Sequence, residues 1–388
     1  MGEPVIVSAV RTAVGSENKA LKQVSPGDLG AVVIREAVKR GGVAPGEIDD
    51  VIFGNVLAGG GNMARLSLLL AGLPVEVPGV AIDRQCSSSL QCVALAASAI
   101  RAGDGEVFVA GGTESMTRRV WLMENNTIDG FSRVPPKFTR AQLAPADIDP
   151  SMGITAENVA EQFKVSREEQ DAFALESQRR AALAIDRGRF KEEIVPVVVP
   201  QKKGDPVVFE VDEHPRRDTS LEKLAKLPPV FKPNGSVTAG NSSGIGDGAS
   251  ACVVMDAKRA ERMGLTPLAR VVATAAAGVH PTIMGVGPIP AVQKVLKKAG
   301  LALDQIDLIE LNEAFASQSL VVTRELGLDR AKVNVNGGAI ALAHPIAATG
   351  TKLMATLIYE MRRRQARYGL VTMCVGGGQG LATVFERA

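Results

Sequence analysis

The sequence predicts an α/β protein built from two similar halves, with a long insertion in the first. Three observations carry this. Short apolar strands alternate with helical stretches at both ends of the chain, the pattern of a parallel sheet covered by helices. From about Arg118 to Pro233 that rhythm stops, and charges and prolines increase. A short segment also recurs: Gly42-Val43-Ala44-Pro45-Gly46-Glu47-Ile48-Asp49 matches Gly300-Leu301-Ala302-Leu303-Asp304-Gln305-Ile306-Asp307 in Gly, Ala, Ile and Asp, 258 residues later.

In chain order, Val5 to Ser8 reads as a strand. Ser25-Pro26-Gly27-Asp28 opens a helix with a serine cap and a proline at its first position, and Gly41-Gly42 ends it. Strands follow at Asp50 to Leu57 and Val77 to Ile82, with a helix at Ala64 to Leu70 between them. Ser87 to Ile100 is rich in Ser, Ala and Leu and reads as a buried helix; Glu106 to Gly111 is a buried strand. The insertion holds amphipathic helices within Ala156 to Phe190 and basic loop pairs at Lys202-Lys203 and Arg216-Arg217, charges that suit a solvated face. After Gly235 the strands return at Ala249 to Met255, Ala269 to Ala277, Asp307 to Leu311, Lys332 to Val335, Leu370 to Cys374 and Leu381 to Phe385. Helices are expected at Pro290 to Lys298, Glu313 to Glu325 and Ala348 to Arg364.

A chain of 388 residues exceeds what one core usually holds. The expected division is 1-117 for the first half, completed by about 235-265, then 118-234 for the insertion and 266-388 for the second half. Net charge is +2, which gives no global case for nucleic acid or membrane. No apolar run approaches the roughly 20 residues of a membrane span. The N-terminus lacks a basic leader, so no targeting segment is expected. Four cysteines without a CxxC pair suggest no disulfide framework, and three histidines suggest no zinc cluster. A reducing cytoplasmic setting is the expectation.

Cys86 sits where a strand meets a helix N-terminus, a place that favours a thiolate nucleophile; taken alone, it equally fits a small buried hydrophobe. Adding 258 to its number reaches His344, so a base and a nucleophile would sit at equivalent junctions of two repeats. His344 precedes Pro345 at an expected helix start. Cys374 precedes Gly376-Gly377-Gly378, whose N–H groups suit an oxyanion, and could be a second acid/base. Asn312 ends a strand on the catalytic edge of the sheet and could orient a water or cap a helix. Thr238-Ala239-Gly240-Asn241-Ser242-Ser243 is a small-residue loop on which a slender ligand could lie.

These residues, with Gln85-Cys86-Ser87-Ser88, Gly111-Gly112-Thr113-Glu114-Ser115-Met116, Met152-Gly153, Asn312-Glu313-Ala314-Phe315, Asn336-Gly337-Gly338 and His344-Pro345, resemble the thiolases over essentially the whole chain. The resemblance implies a duplicated fold of five layers, α-β-α-β-α, with an inserted loop domain. It implies Cys86 as the acylated nucleophile, His344 as its base and Cys374 as the acid/base at the α-carbon or leaving thiol. Asn312, through a water, and His344 would form one oxyanion hole; the N–H groups of Cys86 and Gly376 the other. Ser243 would touch pantetheine and Arg216 the nucleotide end of coenzyme A, with Ala239 a further contact to coenzyme A, while Met152, Met284 and Phe315 would line the pocket. No metal and no prosthetic group is implied; coenzyme A is substrate or product, and a homodimer or homotetramer is expected.

The implied activity is acetyl-CoA C-acetyltransferase. The alternatives are a longer-chain 3-ketoacyl-CoA thiolase, a carrier-protein ketoacyl synthase, against which Cys374 argues, and a non-catalytic lipid-binding relative. The chain departs from the family pattern at Ser89, Ala343 and Ala347, where glycine is usual, and at Asp83, Ser151, Gly246 and Thr349. A β-carbon at a backbone needing positive φ would be strained.

Overall fold

The computed structural model describes residues 2–123, 138–139 and 141–388. Residues 124–137 and 140 of the expected insertion lie outside them. Nine strands form the main path of the large sheet: β1 Pro4–Thr12, β2 Asp50–Gly54, β3 Gly79–Ile82, β4 Val107–Ser115, β5 Gly246–Asp256, β6 Ala269–Gly278, β7 Leu308–Leu311, β8 Tyr368–Val375 and β9 Gln379–Arg387. Their order is β7-β8-β9-β6-β1-β5-β4-β2-β3. The path is two sheets in sequence. Among the described residues they join where β1 meets β6, through the pairs Val5–Arg270 and Ile6–Ala269.

The strands are mixed in direction rather than all parallel. β2 runs parallel to β3 and β4, and β7 parallel to β8. β5 is antiparallel to both β1 and β4, and β9 to both β6 and β8. The β8–β9 connection shows the cause. Three glycines link the two strands, with Gly377 and Gly378 at φ of 81° and 82°, and so tight a turn joins only antiparallel neighbours.

Helix α1 (Pro26–Arg40) starts at the Ser25 cap, whose side chain accepts the Asp28 N–H. With α2 (Met63–Leu70) it covers the outer face of the first sheet. Helix α6 (Pro288–Ala299) covers the outer face of the second. Helices α3 (Ser88–Ala102) and α8 (Thr349–Arg364) lie between the sheets and touch strands of both. Leu90, Val93, Ile100, Met354, Leu357 and Phe385 form the dry core there. Apolar residues on nearly every turn of α3 and α8 are what a helix covered on opposite sides requires.

Each central helix begins with a 3-10 turn, Gln85–Ser87 before α3 and Ile346–Ala348 before α8. These turns correspond at an offset of 261, not 258, so the counterpart of Cys86 is Ala347 and not His344. Pro345 precedes its turn, and α8 itself begins at Thr349. Two further expectations shift. Lys332 to Val335 makes only a bridge from Val333 to Ile309. Helix α7 runs Ala316–Leu326 with Phe315 as cap, leaving Asn312 to Ala314 non-helical. The Glu313 carboxylate is the reason: it turns inward to accept bonds from Ser177 (2.6 Å), Asn334 (2.8 Å) and the Ile340 N–H (3.2 Å).

The insertion carries α4 (Met152–Gln162) and α5 (Arg167–Asp186), the latter opened by a Ser166–Glu169 capping box. It is pinned to β1 by Arg11, which is 1% exposed. The guanidinium grips Asp212 with two bonds of 2.8 and 2.9 Å and reaches Glu193 at 2.6 Å. Removing one partner of a buried pair leaves uncompensated charge, so Arg11→Ala should lower unfolding free energy by about 3–5 kcal/mol, read from the urea midpoint.

Candidate active site

Cys86 lies inside the turn ahead of α3 and is half-buried. Gln85 adopts φ of 45°, and Asp83 Oδ1 accepts its N–H at 2.7 Å. The Ser88 hydroxyl accepts the Arg84 N–H at 2.9 Å and donates to the Gln85 carbonyl at 2.7 Å. Arg84 also donates to Gln379 Oε1 at 3.0 Å, and Gln379 donates to the Gly376 carbonyl at 3.4 Å. The Cys86 turn and the glycine turn are therefore tied together. A β-carbon at Gly376 would lie 2.9 Å from Leu143 Cδ1 and 3.4 Å from the Gln85 side chain.

Burial pushes the Cys86 thiol up to about 11. The N–H groups of Gly376 and Cys86 pull the other way, and the carboxylates of Asp83 and Glu114 add to the rise. The helix N-terminus does not win against desolvation here: near neutral pH the resting group is a thiol and needs a base.

The turn Gln85–Ser87 packs against the turn Ile346–Ala348, just past His344. The His344 N–H donates to the Gly244 carbonyl at 2.9 Å. Its Nδ1 pairs with the Thr349 hydroxyl at 2.6 Å, while Nε2 is buried without a partner. Burial, with the Lys352 charge, pushes His344 down to about 3, so the ring is neutral and its free nitrogen is open to a proton. Cys374 is fully buried on β8, its thiol pushed up by burial and by the nearby Cys86.

Asn312 follows β7, its N–H donating to the Thr372 carbonyl at 3.0 Å. Its side chain is fully buried, with neither Nδ2 nor Oδ1 partnered. Two orphaned polar atoms on a buried amide mark a place where a polar ligand atom belongs. Met284, Phe315 and Met152 pack with Cys374, Ala156 and Ala314 in one apolar cluster. Phe231 sets its ring edge-on to Phe315, centroids 6.1 Å apart.

The remaining expected contacts form a separate set. Arg216 and Ala239 line a cavity of about 200 Å³ with Gln178, His214, Lys223 and Leu224. Ser243 lies outside that lining, its N–H donating to the Ala314 carbonyl. His214 was not foreseen; its only sequence signal is its place two residues before Arg216. Burial and the charges of Arg216 and Lys19 push it down to about 4. It packs on Gly244, where a β-carbon would meet its Nε2 at 2.3 Å. A larger cavity, about 480 Å³, opens elsewhere on the insertion beside Ile185, Phe190 and Val211 and holds no expected site residue.

Of the unusual small residues, only Ala343 is strained. Its φ of 62° and ψ of 170° fall where glycine is almost alone. Gly246 leaves room for its methyl, since a β-carbon there would sit 3.1 Å from Ala343 Cβ. Ser89 is helical, and its hydroxyl accepts the Thr351 N–H at 3.0 Å, joining the starts of α3 and α8. Ala347 lies in a regular 3-10 turn.

This architecture, a buried thiol and an open histidine nitrogen between two similar sheets, agrees with family comparison. The thiolase N-terminal domain matches residues 4–258 and the thiolase C-terminal domain residues 265–387. The chain belongs to the thiolase family. It is 50% identical to an acetyl-CoA acetyltransferase of Pseudomonas aeruginosa, covering 100% of both chains. It is 47% identical to a beta-ketothiolase of Cupriavidus necator, covering 99% of each. A crystal structure of the Bacillus anthracis acetyl-CoA acetyltransferase superposes with a TM-score of 0.94 at 45% identity, covering 100% of this chain and 99% of that one. Human mitochondrial 3-ketoacyl-CoA thiolase gives the same TM-score at 41% identity and the same coverage.

Two outcomes are expected. Ala343→Gly should raise unfolding free energy by about 1 kcal/mol in urea titrations, the relieved strain exceeding the added chain entropy. His344 titrates near 3 folded and 6.5 unfolded. Below the unfolded value the unfolded chain binds the extra proton, so this group removes stability as pH falls from 6.5 towards 3. His344→Asn should flatten the stability–pH slope by one proton in that window.

Proposed function

We propose that this thiolase acts as an acetyl-CoA C-acetyltransferase, joining two acetyl-CoA through an acyl-Cys86 intermediate and running in reverse as a thiolytic cleavage. The observation that carries the reading is the buried, unpartnered Nε2 of His344 near the Cys86 turn, with the unpartnered Asn312 amide on the same edge of the sheet. In the proposed cycle the Cys86 thiol passes its proton to His344 and attacks the thioester carbonyl. The N–H groups of Cys86 and Gly376 hold the oxyanion. The departing CoA thiolate takes a proton from Cys374. The Cys374 thiolate then removes an α-proton from the second acetyl-CoA. Protonated His344 and the Asn312 amide, directly or through a water, stabilise the enolate. Its attack on the acyl group releases Cys86, which recovers the proton from His344, and every group returns to its starting form.

Short substrates are supported by the walls near Cys374, where Met152, Met284 and Phe315 pack and Phe231 backs Phe315. Coenzyme A is assigned to the Arg216–Ala239 cavity, with Ser243 towards pantetheine. Self-association as a dimer or tetramer is supported by the open edge of β3 with exposed Val80 and by exposed Leu66, Leu69 and Leu70 on α2. A cytoplasmic location is supported by four free cysteines. No helix among the described residues is long and apolar enough to cross a membrane.

The test follows the absorbance of the acetoacetyl-CoA enolate on adding CoA. Signal loss is expected for the native chain, and Cys86→Ser should slow it by at least about 10³-fold. An unchanged signal with the native chain, and turnover only on longer 3-ketoacyl-CoA in a chain-length series, would overturn the short-substrate assignment.

A further inference from the structure

Glu114 lies near the end of β4 as a buried carboxylate, and no ion pair is found for it among the described residues. Backbone N–H groups solvate it instead. Oε1 accepts from Ala58 at 2.9 Å, Leu57 at 3.1 Å and the Asn55 side chain at 3.3 Å; Oε2 accepts from Val56 at 3.2 Å. The Ala347 N–H also faces it and favours the charged form. Two residues earlier, Gly112 lies so close under the same turn that a β-carbon would meet the Ala347 carbonyl oxygen at 2.4 Å. The turn after His344 thus rests on the end of β4.

The duplicated fold gives this contact a partner. Cys86 and Ala347 occupy equivalent turns, and the ends of β4 and β8 are equivalent strand ends. Each turn crosses to the strand end of the other half. In one crossing the Gly376 N–H faces the Cys86 sulfur; in the other the Ala347 N–H faces the Glu114 carboxylate. One crossing carries the nucleophile, and the other holds the turn that follows the base.

We infer that Glu114 is a positioning residue for His344, its carboxylate bracing, against loop 55–58, the strand end on which the turn behind the base rests. The inference rests on the acyl-transfer reading above. Glu114 also faces Cys86 and raises the thiol, together with Asp83 on the nucleophile's own side; Cys374 faces the same sulfur from β8. Burial brings the Glu114 carboxyl itself to about 7, against its N–H donors.

Glu114→Gln and Glu114→Asp in the full chain test this. The glutamine amide would turn N–H donors towards N–H groups, and the aspartate would withdraw by one methylene. Both should lower kcat of acetoacetyl-CoA thiolysis by about 10²-fold with KM changed far less, as expected when a base is displaced. Iodoacetamide alkylation of Cys86 should move to lower pH in Glu114→Gln, which loses the facing charge, and stay in place in Glu114→Asp. Retained kcat in a folded variant overturns the inference, as does an unmoved alkylation profile in Glu114→Gln. If Glu114→Gln does not fold, Glu114→Asp decides by kcat alone; if neither folds, Glu114 is a folding residue and the inference fails. A native chain without thiolysis sinks the acyl-transfer reading itself, and an alkylation shift would then report only electrostatic contact.

Discussion

Desolvation at the seam between the two sheets is the constraint on which the rest of the structure depends. Cys86, Cys374 and His344 all sit where water is thin, and burial drives each towards its neutral form. In the proposed cycle, charge on these three groups arises only in transient pairs, a cation on the imidazole matched by an anion on sulfur or oxygen. Fixed N–H dipoles, not mobile ions, oppose that charge, and they need no rearrangement when it appears. Both central helices must therefore begin here, because a helix start is the densest supply of free N–H groups the backbone offers.

The chain handles its buried ionisable groups in two ways. Where the insertion meets β1, Arg11 pairs in direct contact with both Asp212 and Glu193. Beside the reacting groups no cation is paired with Glu114 among the described residues, and amide dipoles hold it instead.

Much of this was legible in the residues. Alternation of strands and helices, the recurring Gly-Ala-Ile-Asp segment and the break after Arg118 are local patterns, and local patterns survive in sequence. Cys86 stands out locally as a junction of strand and helix and His344 through Pro345, whereas the offset of 258 that linked them does not hold, because the two turns lie 261 apart. What escaped depends on three-dimensional approach. The strained backbone at Ala343 is accommodated because Gly246, 97 residues away in the chain, leaves space for its methyl. The direction of β5 and β9 depends on which strand each lies beside, not on its own composition. Asn312 has the form of a helix cap, but the inward turn of the Glu313 carboxylate keeps that segment out of the helix and leaves the Asn312 amide free. His214 reads as a loop residue until the fold sets it against Gly244.

The placement of β5 has a consequence for how the chain is made. This strand is central to the first sheet, between β1 and β4, yet it is encoded after the whole insertion. A nascent chain that has emerged only as far as β4 holds four strands of this sheet, with an open seam between β1 and β4 and no partner to close it. The first half therefore cannot complete its core until Asp256 has left the ribosome, and by then the insertion must already be looped out. Such late, long-range closure slows folding and leaves sheet edges open to wrong partners during synthesis. The insertion waits longer still, because Val159, Phe173 and Leu175 pack on Val286, Leu320 and Ile340, which are translated after it.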